Sequence, residues 1–278
     1  MPLFFADPAK CTRDGICVAE CPVRIIELAT GDSAPHVPAA AEEFCRSCGH
    51  CIAVCPREAV TCGGVAADQL PPVDPRLLPP AAEVAHFLRA RRSIRSYTPR
   101  RVDRENLTAL IEVARFAPSG SNRQPVHWLV VHSPDEVRRL AGMVVDWMRA
   151  GLPALSGAAQ RNTERVLALW DAGSEVICRG APHLVVASAA PEPPSTSTDC
   201  VIALTYLELA AAALGVGACW AGYFMAAVRQ WAPLQHALDV PPGHVVGGAM
   251  MLGYARYDYP RMPLRNEARI TWQGEDQG

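Results

Sequence analysis

The pattern of apolar and polar residues divides the chain into three segments. From about residue 83 onward, helical spacing of apolar residues alternates with strand-like runs. Residues 65–82 are rich in proline and predict a semi-rigid linker. Residues 1–64 hold most of the cysteines. We therefore predict an N-terminal domain over 1–64, a linker over 65–82 and a larger domain over 83–278.

The larger domain contains more predicted helices than strands. Helices are predicted over 83–91, 103–116, 134–150, 158–172, 199–214 and 226–238, and strands over 126–132, 183–189 and 245–254. Asp103 and Ser133 stand where a side chain can cap the second and third of these helices. Few strands among many helices indicate an α+β fold.

One apolar run, residues 200–225, is long enough to span a membrane. However, Glu208 lies in its middle, and Gly215 and Gly217 interrupt it. An unpaired carboxylate at mid-bilayer is costly. We therefore interpret the run as a buried helix followed by a glycine turn.

Composition narrows the functional classes. The formal net charge of −2 over 278 residues gives no indication of binding to nucleic acid or to a membrane surface. The N-terminus lacks the basic and apolar regions of a signal peptide, so we expect a cytoplasmic protein. Eight of the 11 cysteines lie within the first 62 residues. Such clustering indicates metal binding rather than a disulfide framework.

The second cysteine motif is CRSCGHCIAVCP, residues 45–56. Its spacing, Cys-x2-Cys-x2-Cys-x3-Cys-Pro, is typical of bacterial iron–sulfur proteins, in which the fourth cysteine ligates the other cluster. Zinc is the alternative, because thiolates also bind Zn²⁺, but zinc ligands usually come as separated Cys-x2-Cys pairs.

The first motif, CTRDGICVAECP (residues 11–22), has the same register with one substitution. Asp14 stands where the second cysteine is expected, and Gly15 matches Gly49. The N-terminal domain thus resembles a two-cluster ferredoxin. Crossed ligation then predicts two sets of ligands. The first set is Cys11, Asp14, Cys17 and Cys55; the second is Cys21, Cys45, Cys48 and Cys51.

Asp14 leaves the first cluster open to several interpretations. A carboxylate holds iron less firmly than a thiolate does. The cluster is therefore a [4Fe–4S] cube with Asp14 bound, or one that loses this iron and becomes [3Fe–4S]. As the alternative, Asp14 is only a turn residue and the first cluster is absent. Cys62, just beyond the second motif, is interpreted as a small buried residue or as a spare ligand of the Asp14 cluster.

The remaining two-thirds of the chain resembles the nitroreductase family in four segments. These are RARRSIRSYTPRRV, FAPSGSNRQPVHW, LGVGACWAGYFM and GYARYDYPRMPLRNEARITW. The matching residues that the resemblance assigns to FMN are Arg91, Arg92, Ser93, Arg95, Pro118, Ser119, Asn122, Gln124, Gly222, Arg261 and Arg265. It implies that the arginines and Ser93 contact the phosphate and ribityl chain, and that Asn122 and Gln124 contact the flavin pyrimidine edge.

The resemblance implies an FMN-binding α+β sandwich that forms a homodimer with the flavin at the subunit interface. Iron–sulfur clusters carry single electrons and flavins pass on two, so the fusion predicts an oxidoreductase that reduces a small electron-poor molecule. Nitroaromatics, quinones and enone-like compounds fit this class. The donor is reduced ferredoxin, flavodoxin or NAD(P)H. No catalytic side chain is assigned.

Two alternatives come from other classes of protein. In the first, the chain is an electron-transfer subunit that serves a partner enzyme. In the second, the flavin domain has lost FMN, and the cluster near Asp14 makes the protein a redox sensor.

Overall fold

The computed structural model describes residues 2–31 and 33–274. Its contacts separate two compact units. The first unit comprises Met1–Leu78 and Pro118–Pro125, and the second comprises Pro79–Ala117 and Val126–Gly278. The boundaries at residues 64 and 82 stay a prediction, and the predicted ends at residue 1 and residues 275–278 lie outside the described residues.

The first unit is built on a small antiparallel sheet of order β1-β2-β3. Its strands and helices are β1 (Phe4–Ala6), α1 (Ile16–Glu20), α2 (His50–Ala53), β2 (Val60–Cys62) and β3 (Val65–Ala66). Apolar residues from both cysteine motifs and from the sheet share one core, which includes Phe4, Ile25, Ile26, Ile52 and Val60. The proline-rich segment contains short 3-10 turns at Ala67–Gln69 and Pro75–Leu77.

The second unit has helices around an antiparallel sheet of order β4-β5-β7-β6. The strands are β4 (His127–Val131), β5 (His183–Ala189), β6 (Gly217–Trp220) and β7 (Val245–Gly253). The helices are α3 (Ala81–Ala90), α4 (Arg104–Ala114), α5 (Pro134–Gly151), α6 (Gly157–Asp171), α7 (Thr196–Ala213), α8 (Gly222–Val228) and α9 (Ala232–His236). The predicted α+β class is confirmed.

Both faces of this sheet are covered, because side chains of a strand point alternately to its two sides. On β5, Leu184 and Val186 join the core with α5 and α8, whereas Val185 and Ala187 join the core with α4 and α7. Burial on both faces explains why β5 is a continuous apolar run rather than an alternating one. The sheet is therefore the middle layer of a sandwich.

Three local predictions need correction. The single helix predicted over 226–238 is two helices, α8 and α9, because Pro233 lies in the first turn of α9 and cannot continue a preceding helix. The glycine turn predicted after the buried helix contains Gly215 but not Gly217, since β6 begins at Gly217. Asp103 occupies the N-cap position of α4 without a capping bond, whereas the Ser133 hydroxyl accepts a bond from the Glu136 N–H.

The run 200–225 is divided between α7, β6 and α8. Cys200, Leu204 and Leu207 of α7 are fully buried against the sheet. Within the described part of the chain, no helix has both the length and the apolarity needed to cross a bilayer.

Candidate functional site: two cysteine loops and an arginine-lined cleft

The two cysteine loops have the same backbone conformation at matching positions. Gly15 and Gly49, which precede α1 and α2, both have φ of 74°. Non-glycine residues in the left-handed region also match: Arg13 and Ser47 before the glycines, and Arg24 and Glu58 after the Cys-Pro pairs. Such a conformation is uncommon outside glycine. Asp14 and Cys48 therefore occupy equivalent slots in the two loops.

The first predicted ligand set lies together. Burial raises the pKa of the Cys17 thiol, and the nearby Cys55, Cys11 and Asp14 side chains raise it further. Backbone N–H groups point at two of the sulfur atoms: Arg13 donates to Cys11 Sγ at 3.4 Å, and Ala59 donates to Cys55 Sγ at 3.3 Å. Bonds of this kind favour the thiolate form that binds metal.

Asp14 makes the contacts of a turn residue. Its Oδ1 accepts a bond from the Ile16 N–H at 3.0 Å, and its Oδ2 accepts one from the Thr12 hydroxyl at 2.9 Å. A carboxylate has about four lone-pair sites, so these two bonds leave acceptor capacity on both oxygens. Ligation by Asp14 therefore stays a prediction.

The second predicted ligand set lines a largely apolar cavity in the first unit. All four of its cysteines contribute, together with Phe4, Ile25 and other apolar residues. The four cysteines are Cys21, Cys45, Cys48 and Cys51. A fifth cysteine, Cys62 on β2, lines the same cavity. The donor sets fit iron–sulfur clusters, since soft thiolates converge from both motifs as crossed ligation requires.

Cys62 belongs with the second set and not with the first. Its thiol contacts Cys51 and Cys45. The contact with Cys51 and burial raise the pKa of Cys62, while the same contact lowers the pKa of Cys51. Cys62 is also half-buried rather than buried. The interpretation of Cys62 as a spare ligand of the Asp14 cluster is therefore wrong, because Cys62 lies beside the other ligand set.

Across residues 2–31 and 33–274, no group of three or more His, Cys, Asp or Glu side chains could hold a single metal ion.

The segment Pro118–Pro125, which the resemblance assigns to the flavin, belongs to the first unit. Asn122 Nδ2 donates to the carbonyl oxygens of Arg46 at 3.3 Å and Ser47 at 3.1 Å. These two residues lie between Cys45 and Cys48. Asn122 therefore holds the loop of the second cysteine motif.

This segment adopts an unusual backbone conformation. Ser121, Asn122 and Gln124 all have positive φ, at 53°, 55° and 49°. The Ser119 hydroxyl accepts a bond from the Gln124 N–H at 2.9 Å and so closes the turn. Non-glycine residues persist in this region only where their surroundings hold them, and they often cluster at functional sites.

In the second unit, Arg91 and Arg92 line an open cavity of about 260 Å³ together with Gly217 and Tyr259. Arg91 forms an ion pair with Glu208 of α7, with 2.8 Å between Nη1 and Oε1. The guanidinium of Arg92 lies 5.2 Å from the centre of the Tyr259 ring. Two guanidinium groups beside a glycine-lined cleft match the chemistry of a phosphate site.

Other residues assigned to the flavin lie elsewhere in the second unit. Ser93 contacts the buried Cys219 thiol through its hydroxyl. Arg95 lines a different cavity, of about 560 Å³, with Arg179 and Arg256. The structure therefore brings Arg91 and Arg92 together and separates Arg95 from them.

The remaining assigned residues have few contacts of their own. Gly222 is the first residue of α8. Arg261 and Arg265 are exposed, and Arg265 Nη1 donates to the Leu264 carbonyl at 2.9 Å.

Sequence reasoning missed the role of Glu208 and the location of Cys62. In the sequence, Glu208 was noted only as a charge inside an apolar run. An ion-pair partner for Glu208 could have been predicted, because an acidic residue in a buried helix needs one. Cys62 offered no such signal, since its neighbours depend on how β2 packs.

Comparison with known proteins identifies both parts of the chain. The model of the nitroreductase family matches residues 88–254, and that of a 4Fe-4S dicluster domain matches residues 4–59. A relative from Archaeoglobus fulgidus, named as an NADH dehydrogenase/NAD(P)H nitroreductase, is 29% identical over 174 residues, which cover 63% of this chain and 86% of the relative.

Solved structures share the fold. A nitroreductase with bound FMN from Bacteroides fragilis has a TM-score of 0.57 at 22% identity, covering 69% of this chain and 99% of that one. A nitroreductase with bound FMN from Desulfitobacterium hafniense has a TM-score of 0.57 at 24% identity, covering 69% of this chain and 98% of that one. The chain belongs to the nitroreductase family and carries an N-terminal 4Fe-4S dicluster domain.

Proposed function

We propose that the chain is an FMN- and iron–sulfur-dependent oxidoreductase of the cytoplasm that reduces a small electron-poor molecule, such as a nitroaromatic, a quinone or an enone-like compound. Family membership and the FMN-bound structures of the same fold support the flavin. The dicluster domain and its two gathered ligand sets support the iron–sulfur clusters. When bound, the clusters would carry single electrons and FMN would pass electrons on in pairs.

The contact between Asn122 and the second cysteine loop carries this proposal. The segment Pro118–Pro125 is the one that the family resemblance assigns to the flavin pyrimidine edge. Asn122 Nδ2 in this segment donates to the carbonyls of Arg46 and Ser47, between two ligands of the second cluster. As the resemblance implies, Asn122 and Gln124 of this segment would contact FMN. We infer that electrons pass through the clusters to FMN.

The residues of the second unit would hold the flavin phosphate. Arg91 is oriented by Glu208, and Arg92 by Tyr259, so both guanidinium groups are in place before a ligand arrives. Pre-oriented groups lose less side-chain entropy on binding. We propose a homodimer with the flavin at its interface, as the family resemblance implies.

The electron donor is proposed from two observations. The relative from Archaeoglobus fulgidus is named for NADH and NAD(P)H. In contrast, exposed apolar side chains lie next to both cysteine loops: Phe44, directly before Cys45, is 50% exposed, and Ile16 in α1 is 39% exposed. Exposed aromatic residues beside a metal centre suit contact with a carrier protein. We therefore favour reduced ferredoxin or flavodoxin over NAD(P)H.

Anaerobic reduction tests this proposal. Purified protein is mixed with NADH, NADPH or reduced ferredoxin, and the flavin and iron–sulfur absorbance bands are followed separately. We expect ferredoxin to bleach the iron–sulfur band first and the flavin band afterwards. Bleaching of the flavin by NADH, with the clusters left oxidised, would contradict the proposed direction of electron flow.

The flavin assignment is tested by variants of the segment Pro118–Pro125. Gln124→Ala should release FMN, because it removes a carboxamide that can both donate to and accept from the pyrimidine edge. Arg123→Ala is the matched control, since Arg123 is exposed in the same segment and has no assigned role. Full FMN occupancy in Gln124→Ala would show that the segment does not bind the flavin. Asn122→Ala should also release FMN, because it removes the bonds to Arg46 and Ser47 that support this turn.

A further inference from the structure

Cys62 is held in place by the sheet of the first unit. It is the last residue of β2 and pairs with Phe4 of β1 on one side and with Val65 of β3 on the other. The next residue, Gly63, donates its N–H to the Leu3 carbonyl at 2.7 Å. Because the strand is paired on both edges at this point, the direction of the Cys62 side chain is set by the ladder and not by a mobile loop.

The Cys62 thiol faces the ligand cavity and contacts part of the ligand set. It lines the same cavity as the four cysteines of the second motif set. Within this set it contacts the thiols of Cys51 and Cys45. Cys62 therefore lies beside two of the ligand sulfurs.

The chemistry of this position suits iron. A thiol beside an existing ligand sulfur can reach the same iron atom by rotation about one side-chain bond, and cysteine has only this torsion to adjust. The cavity wall is apolar, with Phe4, Ile25 and Ile26 around the sulfurs, so water offers little competition as a ligand. Soft thiolate is also the ligand type that iron–sulfur clusters select.

We propose that Cys62 is a reserve ligand of the second cluster that replaces Cys45 or Cys51. In the exchange, the bond from iron to the outgoing sulfur breaks and a bond from iron to Cys62 Sγ forms. The Cys62 thiol gives up its proton, and in the wild-type chain the outgoing thiolate takes one up. One thiolate replaces another, so the charge on the cluster and its ligands does not change and no electron is transferred. This inference rests on the proposed second cluster.

The test compares alanine variants of the cysteines. Cys51→Ala and Cys45→Ala should each keep the second cluster, with iron and sulfide contents near those of the wild type. Adding Cys62→Ala to either should remove about four irons per chain. Cys17→Ala is the matched control, because Cys17 belongs to the first ligand set, and the second cluster should be kept in this variant whether or not Cys62 is present. Cys62→Ala alone should keep it.

Iron and sulfide analysis and electron paramagnetic resonance of the reduced protein supply the readouts, and far-ultraviolet circular dichroism reports on folding. Loss of the second cluster from both Cys51→Ala and Cys45→Ala, in chains that remain folded, would overturn the inference and leave the proposed function standing. Loss of the second cluster from Cys62→Ala alone would overturn it as well, because Cys62 would then be required in the wild type. A wild-type chain without a second cluster would overturn both the inference and the proposed function.

Discussion

Glu208→Gln should destabilise the second unit, because it leaves the Arg91 guanidinium without its counter-ion. The two side chains are mostly buried, at 23% exposure for Arg91 and 9% for Glu208, and their charged atoms lie 2.8 Å apart. At an effective dielectric constant of about 20, unit charges at this distance attract by about 6 kcal/mol. Most of this attraction is offset by the cost of removing both charges from water.

Removing one partner of such a pair costs more than the pair itself contributes. A fully buried charge left alone costs about 3–5 kcal/mol. Arg91 borders an open cavity, so water reaches part of its guanidinium and lowers this cost. We therefore expect a loss of about 2–3 kcal/mol from the free energy of unfolding. For a unit of this size, the melting temperature should fall by about 5–10 °C.

The assay is thermal unfolding of flavin-free protein, since bound FMN would shift the midpoint through mass action. The control is the double variant Arg91→Met with Glu208→Met, which replaces both charges by apolar groups and should lie close to the wild type or above it. A melting temperature of Glu208→Gln within about 1 °C of the wild type would refute this prediction. A double variant that is less stable than Glu208→Gln would refute it as well.

Three further predictions address stability and the clusters. His183 is buried and stacks on His132, and burial, followed by His132 and Arg101, lowers its pKa from 6.5 to about 4. The unfolded chain therefore binds more protons, so the free energy of unfolding should rise by about 3 kcal/mol between pH 4 and 6.5 in urea titrations, and His183→Gln should flatten this slope. Asp14→Cys should give a stable [4Fe–4S] first cluster, whereas Asp14→Asn, which can keep the turn bonds, should favour [3Fe–4S]; identical resonance spectra for the two variants would show that residue 14 is not a ligand. Gly217→Ala should cost about 2 kcal/mol, because its Cβ would lie 2.7 Å from Ile94 Cγ1; Gly142→Ala, whose Cβ meets nothing closer than 3.8 Å, should leave stability unchanged or raise it.

Local patterns predicted most of the secondary structure. The strand over 183–189 and the helices near 83–91 and 158–172 follow from apolar spacing, and each is present within a residue or two of its predicted ends. These helices and this strand could be predicted because the spacing of apolar residues within a segment indicates its secondary structure. The repeat of the two cysteine motifs predicted crossed ligation, which stays a prediction; the structure places the cysteines of the second set around one cavity.

Long-range contacts could not be predicted in the same way. The ion pair between Arg91 and Glu208 joins residues 117 positions apart, and the bond from Asn122 to Arg46 spans 76 positions. No periodicity connects such pairs, since they depend on how whole elements pack. The family resemblance assigned Asn122 to the flavin, and this assignment stays a prediction; the family motif gives no information about the bond from Asn122 to the cysteine loop.

The positive φ angles of Ser121, Asn122 and Gln124 have a consequence for dissecting this protein. In this turn the Asn122 side chain donates to the carbonyls of Arg46 and Ser47, and both acceptors belong to the N-terminal 78 residues. A shortened chain that starts at Pro79 would keep its β-sheet but would lose the support for a turn on which we expect the nucleotide to rest. Excision of the first 78 residues should therefore give protein that purifies without FMN, although every strand of the larger sheet is still present.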